Sequence, residues 1–454
     1  MSATAASVLE KNWQKYLKRE FASVSARLSM IAIFVSTVLA IAATGTIRAQ
    51  SPYPPGYPNM AAGGPPISDP YAMSSYNSQA NWLPQMPSFS LPTVSDRLYW
   101  RAEYLAWRAD GMETPPLVTT SPAGTPQNQA GILGMSGTSV LFGGNEINND
   151  IANGFRTRAG LWLTAQGTWG IEAEYFMLNG DNDSYSASGS GAPILARPFF
   201  DTTNDRQTAQ LVSFPGLVNG SVAVGSDSDL KSFLINARAS MLPIYPTICP
   251  PDGAQDRVDW IIGYRYLELD DRLGVTENLE SQVPSAPGTI ALSEAFETQN
   301  QFNGLQLGVV YQANFNRAWL ESMLRVGVGN NKQKVSISGS TAITELGVTD
   351  TYSGGLLAQT SNIGTYERTD FSMVPEIGLT LGFRFTRCLH GTIGYSLIYF
   401  PNVVRAGDQI DTRVNPNLIP EPNLPISGSQ HPAFSFVETD YWAQGLSLGG
   451  ELRF

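Results

Sequence analysis

From Arg97 to Phe454 the chain alternates apolar and polar residues with a period of two, in stretches much longer than an ordinary strand. Between Arg97 and Arg108, Leu98, Trp100, Ala102, Tyr104 and Ala106 share one face, and Arg97, Arg101 and Glu103 share the other. The pattern returns at 154–165, 169–178, 230–242, 257–269, 300–313, 317–329, 369–385, 389–401 and 440–454. It is clearest at 369–385, where Phe371, Met373, Ile377, Leu379, Leu381, Phe383 and Phe385 oppose Ser372, Glu376, Thr380 and Arg384. Strands of soluble proteins run to about five or six residues, whereas a tilted strand needs about 9–11 to cross a bilayer. In hydrocarbon, only a closed barrel lets strands pair every backbone group.

The connections give an independent reading. They are short at 166–168, 243–256, 314–316 and 386–388, and long at 109–153, 179–229, 270–299, 330–368 and 402–439. Short and long alternate without exception, as periplasmic turns and extracellular loops do in outer-membrane barrels. A soluble sandwich offers no reason for this. The expected fold is all-β: a transmembrane antiparallel up-and-down β-barrel of about ten strands, with 12 as the alternative count. The last strand carries Trp442, Leu446, Leu448, Leu452 and Phe454 on one face. An aromatic end on an alternating strand resembles the signal that inserts outer-membrane barrels. The expected partners are therefore outer-membrane lipid and the barrel-assembly machinery.

The first 49 residues read as a secretory signal peptide: a basic start (Lys11, Lys15, Lys18, Arg19, Arg27), an apolar run from Leu28 to Ala43, and Ala49 at the cut. The competing reading is an uncleaved anchor, for which the run is short. Residues 50–95 hold ten of the 30 prolines with Tyr, Gly and Ser, and read as an extended, flexible linker. The barrel is expected over 96–454, in the outer membrane of a Gram-negative-type envelope. Removing the leader's +4 from the net charge of −11 leaves −15. Such acidity argues against nucleic acid as a partner. The remaining cations are arginines apart from Lys231, Lys332 and Lys334, which suits packed ion pairs better than a solvated surface.

The words YWRAEYLAWRADG, GILGMSGTSVLFGG, FETQNQFNGLQLG, SNIGTYERTDFSMVPEIGLTLGFRFT, VVRAGDQIDTRVNPNLIP and TDYWAQGLSLGGELRF carry a resemblance. Over roughly 98–454 the chain resembles the beta-barrel porin family numbered seven, expanded in planctomycete-type bacteria. The resemblance implies an outer-membrane barrel and no established substrate or catalytic residue.

On the inward face the alternation places Arg101, Arg156, Arg158, Arg238, Arg265, Arg325 and Arg384 with Glu103, Glu172, Glu174, Asp259, Glu321 and Glu376. Two readings compete: an ion-selecting constriction, or an ion-pair plug. A ten-strand barrel is little wider than the eight-strand kind that side chains fill, so the plug is favoured. The expectation is a surface or structural barrel with a charge-lined and largely filled lumen. The alternative is a passive porin for small hydrophilic solutes.

Asp408 and Asp411 are candidates for a loop cation; a tight turn whose carboxylates satisfy backbone donors is the favoured reading, and nearby Arg405 and Arg413 add to it by internal pairing. His431 lies in the same long loop, and an Asp–His pair at an outer rim is the layout of some outer-membrane hydrolases. A solvated loop histidine is the favoured reading, so no enzyme activity, cofactor or resident metal is expected. Cys249 and Cys388 both fall in predicted periplasmic turns, where a disulfide is permitted.

Overall fold

The computed structural model describes residues 97–164, 167–180, 182–240, 256–315, 317–421 and 427–454. The leader, the linker and Cys249 lie outside these. Ten strands form the wall: β1 (Leu98–Ala109), β2 (Ile151–Trp162), β3 (Trp169–Asn179), β4 (Val218–Ser240), β5 (Arg257–Ser281), β6 (Thr289–Asn314), β7 (Ala318–Glu345), β8 (Gly364–Arg384), β9 (Leu389–Val403) and β10 (Thr439–Arg453). Each pairs antiparallel with its chain neighbours. Pairing of β1 with β10, from Tyr99↔Arg453 to Ala109↔Ala443, closes the barrel. Closure removes both sheet edges, which lipid would leave unpaired. Ser184–Gly189 and Val348–Ser353 add short strands to β4 and β7.

The apolar face points outward. Trp100, Tyr104, Phe155, Trp169, Phe233, Trp260, Leu305, Phe371, Tyr395 and Leu448 are all exposed, a belt that suits a hydrocarbon surround.

The strands of one half extend well past the expected ends. The stretches at 270–299 and 330–368, read as loops from the sequence, are largely the continuation of β5 to β8. The reason is a change of phase. Beyond the belt the outward positions become polar, as at Glu268, Asp270 and Arg272. The inward ones become apolar and buried, as at Leu273, Val275, Phe296, Val335 and Ile337. The outward apolar stripe stops at that crossover although the backbone pairing continues.

This inner apolar surface is covered by the loops. Val118–Ser121, Ser139–Phe142, Ile194–Asp201 and Arg206–Ser213 form a separate sheet, on which Arg413–Val414 adds in parallel. Leu117, Val118, Leu195, Phe199, Leu356, Leu357, Val404 and Ile410 from the long connections share one buried core with the upper wall.

Close pairing across the wall needs residues without side chains at two aromatic positions. Tyr99 lies opposite Gly160, and Trp319 opposite Gly382. A Cβ on either glycine would overlap the facing ring.

The lumen as candidate functional site

Inward residues recur every second position, so the register stacks them in layers. Near the short turns, Arg238 pairs with Asp259 at 2.6 Å and with Glu172 at 3.0 Å, and Arg257 reaches the same Asp259 at 2.6 Å. On the opposite wall Arg101 joins Glu451 at 2.6 Å and Glu321 at 3.0 Å. Trp319 Nε1 donates to Nδ1 of the buried His390, which lies 3.6 Å from Glu451.

The next layer is knitted more tightly. Arg158 pairs with Glu174 at 2.6 Å and Glu321 at 3.3 Å. Arg325 reaches both Glu174 and Glu376, the latter at 2.7 Å, and Arg265 reaches Glu376 at 2.9 Å. Arg156 stands within 4 Å of Glu103, Glu174 and Glu376. These groups are buried, with Arg265 and Arg325 at 0% exposure. A buried ion without a partner costs several kcal/mol, so the interleaving of signs is what makes this layer tolerable.

Above the charges the lumen turns apolar. Leu105, Trp107, Phe176, Leu267, Phe302, Val374, Ile398 and Phe400 pack together. Arg156 joins the two layers, its guanidinium 5.0 Å from the Trp107 ring centre and 5.4 Å from that of Phe176. Higher still, the loops are fastened by buried arginines. Arg197 pairs with Glu277 at 2.6 Å and Glu294 at 2.7 Å. Glu294 also accepts the backbone N–H groups of Leu357 and Ala358. Arg405 pairs with Asp271 at 2.5 Å.

Twelve of the thirteen lumen charges named from the sequence thus meet in one network. Arg384 does not join it. It sits at the short-turn rim and donates to Asn314 Oδ1 and to the carbonyls of Phe315 and Ala318. Glu451, Arg257 and His390 belong to the network but were not singled out, although the inward phase of their strands placed Glu451 and His390 there. Arg197 lies in the strand Ile194–Asp201, which is buried almost throughout rather than on alternate residues, and Arg405 lies in a loop, so no period marks either.

Trp442, Leu446, Leu448, Leu452 and Phe454 lie on the outward side of β10, with Leu446 and Leu448 exposed. Asp411 accepts from the backbone and Nε of Arg413, from the Ala433 N–H at 2.9 Å, and faces His431 Nδ1 at 3.0 Å. These donors hold its carboxyl below the usual range against the opposing effect of burial. Asp408, in the short helical turn Gly407–Gln409, is pushed up to about 6 by burial, against the pull of Arg405. Among the described residues no cluster of three or more His, Cys, Asp or Glu is arranged to hold a metal ion. Cys388 lies in the β8–β9 turn.

The profile of the Putative beta barrel porin-7 family matches residues 99–454. The chain belongs to this family. Porin-7 proteins are porin-like barrels of the outer membrane, and the closed ten-strand wall is that fold. No curated protein matches the chain. Among solved structures this porin-7 chain is similar to the outer membrane protease OmpT of Escherichia coli, with 9% identity, 82% of this chain and 99% of that one covered, and a TM-score of 0.38. It is also similar to the transport unit of the autotransporter AIDA-I of Escherichia coli (10% identity, 83% and 95% covered, TM-score 0.23). A third likeness is to the toluene transporter TodX of P. putida (8% identity, 79% and 90% covered, TM-score 0.20).

Proposed function

We propose that this porin-7 barrel is closed to solutes and serves as a surface or structural barrel rather than as a channel or an enzyme. One observation carries the reading: the inward charges lie out of contact with solvent. Glu174 and Glu376 are each 1% exposed and Trp107 and Phe302 0%. In a conducting porin the lumen is polar and water-filled, so its charges face water. Here they face one another, and an apolar layer and inserted loops stand above them. Export by the N-terminal leader, insertion through the β10 aromatic end and a lipid annulus around the belt complete the proposal.

The test is liposome swelling with a small neutral sugar. Proteoliposomes carrying the protein should swell no faster than empty ones. Swelling that rises with protein content would favour the passive porin. A hydrolase is the second reading, supported by the contact of His431 with Asp411. Asp411 is already shared among Arg413, Ala433 and His431, which favours a loop-fastening role. His431→Ala should therefore leave any surface hydrolase activity of the expressing cell unchanged, and a specific loss would restore the enzyme reading.

A further inference from the structure

The whole chain is acidic, with a net charge of −11, yet cations collect at the short-turn end of the barrel. Arg97 precedes β1, Arg257 opens β5, Arg317 lies between β6 and β7, Arg384 ends β8, Arg387 lies in the β8–β9 turn, and Arg453 ends β10. Three of them are engaged: Arg257 with Asp259, Arg384 with Asn314 and backbone carbonyls, and Arg453 with Glu451. The rim carboxylate Asp256 is also occupied, accepting from Tyr311 Oη at 2.7 Å and the Asn314 N–H at 3.1 Å. Arg97, which spends one N–H on the Leu163 carbonyl at 3.2 Å, Arg317 and Arg387 are wholly or partly exposed, with no carboxylate in ion-pair range among the described residues. Large apolar side chains stand beside them on the outward face: Leu163, Trp169, Phe315, Phe385 and Phe454 are all exposed, Phe385 at 71%.

The other end differs. There Lys332 pairs with Glu367 at 2.9 Å, Arg272 with Glu297 at 3.3 Å, and Lys231 lies within 4 Å of Asp229 and Asp270. These three cations are already matched by carboxylates.

We propose that the Arg97, Arg317 and Arg387 rim is a docking surface for anionic phospholipid, its guanidiniums binding headgroup phosphates in the leaflet that faces the periplasm. Exposed aromatics at the edge of an apolar belt mark the headgroup depth. The planar fork of arginine matches phosphate oxygens two at a time. A cation at this depth is worth about fivefold in partition toward an anionic lipid. The proposal rests on the outer-membrane reading but is independent of whether the lumen conducts.

The test uses the full chain in nanodiscs of phosphatidylcholine with a minority of phosphatidylglycerol, followed by native mass spectrometry of the lipid retained. The unaltered protein should retain phosphatidylglycerol at least fivefold above its share of the disc, less so as salt rises. Arg97→Gln/Arg317→Gln/Arg387→Gln should return retention to that share. Lys231→Gln/Lys332→Gln/Lys334→Gln, which removes as much charge from the other end, should retain phosphatidylglycerol as before. Each variant is checked for its β-sheet circular dichroism. If the triple arginine variant does not fold, Arg387→Gln alone carries the test, with about a fivefold fall expected. Absence of enrichment in the unaltered protein, its survival in the arginine variant, or an equal loss in the lysine variant would overturn the proposal. So would arginine-dependent binding to purified peptidoglycan without lipid enrichment.

Discussion

Replacing Glu376 by glutamine keeps the shape of the side chain and removes one charge from the tightest layer of the lumen. Glu376 faces Arg265 at 2.9 Å, Arg325 at 2.7 Å and Arg156 at 3.7 Å. Arg325 and Arg156 would keep Glu174, but Arg265, with no solvent contact, has no other carboxylate in range among the described residues. Breaking a buried pair from one side costs about 3–5 kcal/mol, because the remaining ion is neither hydrated nor paired. That is about two to four powers of ten in the folding equilibrium. A pair washed by lumen water would lose only about 0–1 kcal/mol. Equilibrium urea unfolding in phospholipid vesicles, followed by tryptophan fluorescence, separates the two. The control is Glu376→Leu with Arg265→Met, which removes both charges and should recover most of the loss. A cost below about 1 kcal/mol for Glu376→Gln would refute the dry, paired lumen, since solvent would then be screening the charges.

Other expectations follow from the same packing. Gly382→Ala places a methyl against the buried Trp319 ring, and should lower stability by about 1–3 kcal/mol in the same unfolding assay. Arg405→Met removes the partner of buried Asp271, so backbone hydrogen exchange in 404–414 should rise well above that of the barrel wall. Burial raises the carboxyl of Asp408 to about 6 in the folded loop, and the unfolded chain binds that proton more weakly. Its contribution is therefore present at low pH and lost as pH rises to about 6, so local opening near Gly407–Gln409 should grow over that range. Asp408→Asn should flatten this dependence in pH-resolved hydrogen exchange. Asp411 has the opposite sign: its lowered carboxyl supports the loop at neutral pH and stops doing so only in acid.

The wall was legible because lipid imposes a simple code. Every second residue from Phe371 to Phe385 must suit hydrocarbon, and the alternation therefore marks strand, face and depth together. The same code misled where the surround changes. Above the belt, Leu273, Val275 and Phe296 turn inward while Asp270 and Arg272 turn outward, so strands were read as loops. Lumen charges were legible as a set because their phase opposes the apolar face. Their pairing was not, since contacts such as Arg101 with Glu321 join β1 to β7 across the interior. Arg197 and Arg405 were beyond reach of pattern: their positions depend on how the long connections, with the strand Ile194–Asp201 among them, fold into the mouth. At Asp411 the sequence favours a turn with internal pairing to nearby Arg413 over a cation, and Asp411 does accept from Arg413, with His431 and Ala433 as further neighbours. The His431 and Ala433 contacts depend on chain returning from 431–433, which local spacing does not reveal.

The central claim concerns the lumen, and planar-bilayer recording tests it most directly. Reconstituted alone, the protein should insert without steady conductance in symmetrical salt at either polarity. Large, stable single-channel steps that scale with salt concentration would contradict the account, because ions could not pass a lumen filled by Arg265, Arg325, Glu376 and Trp107.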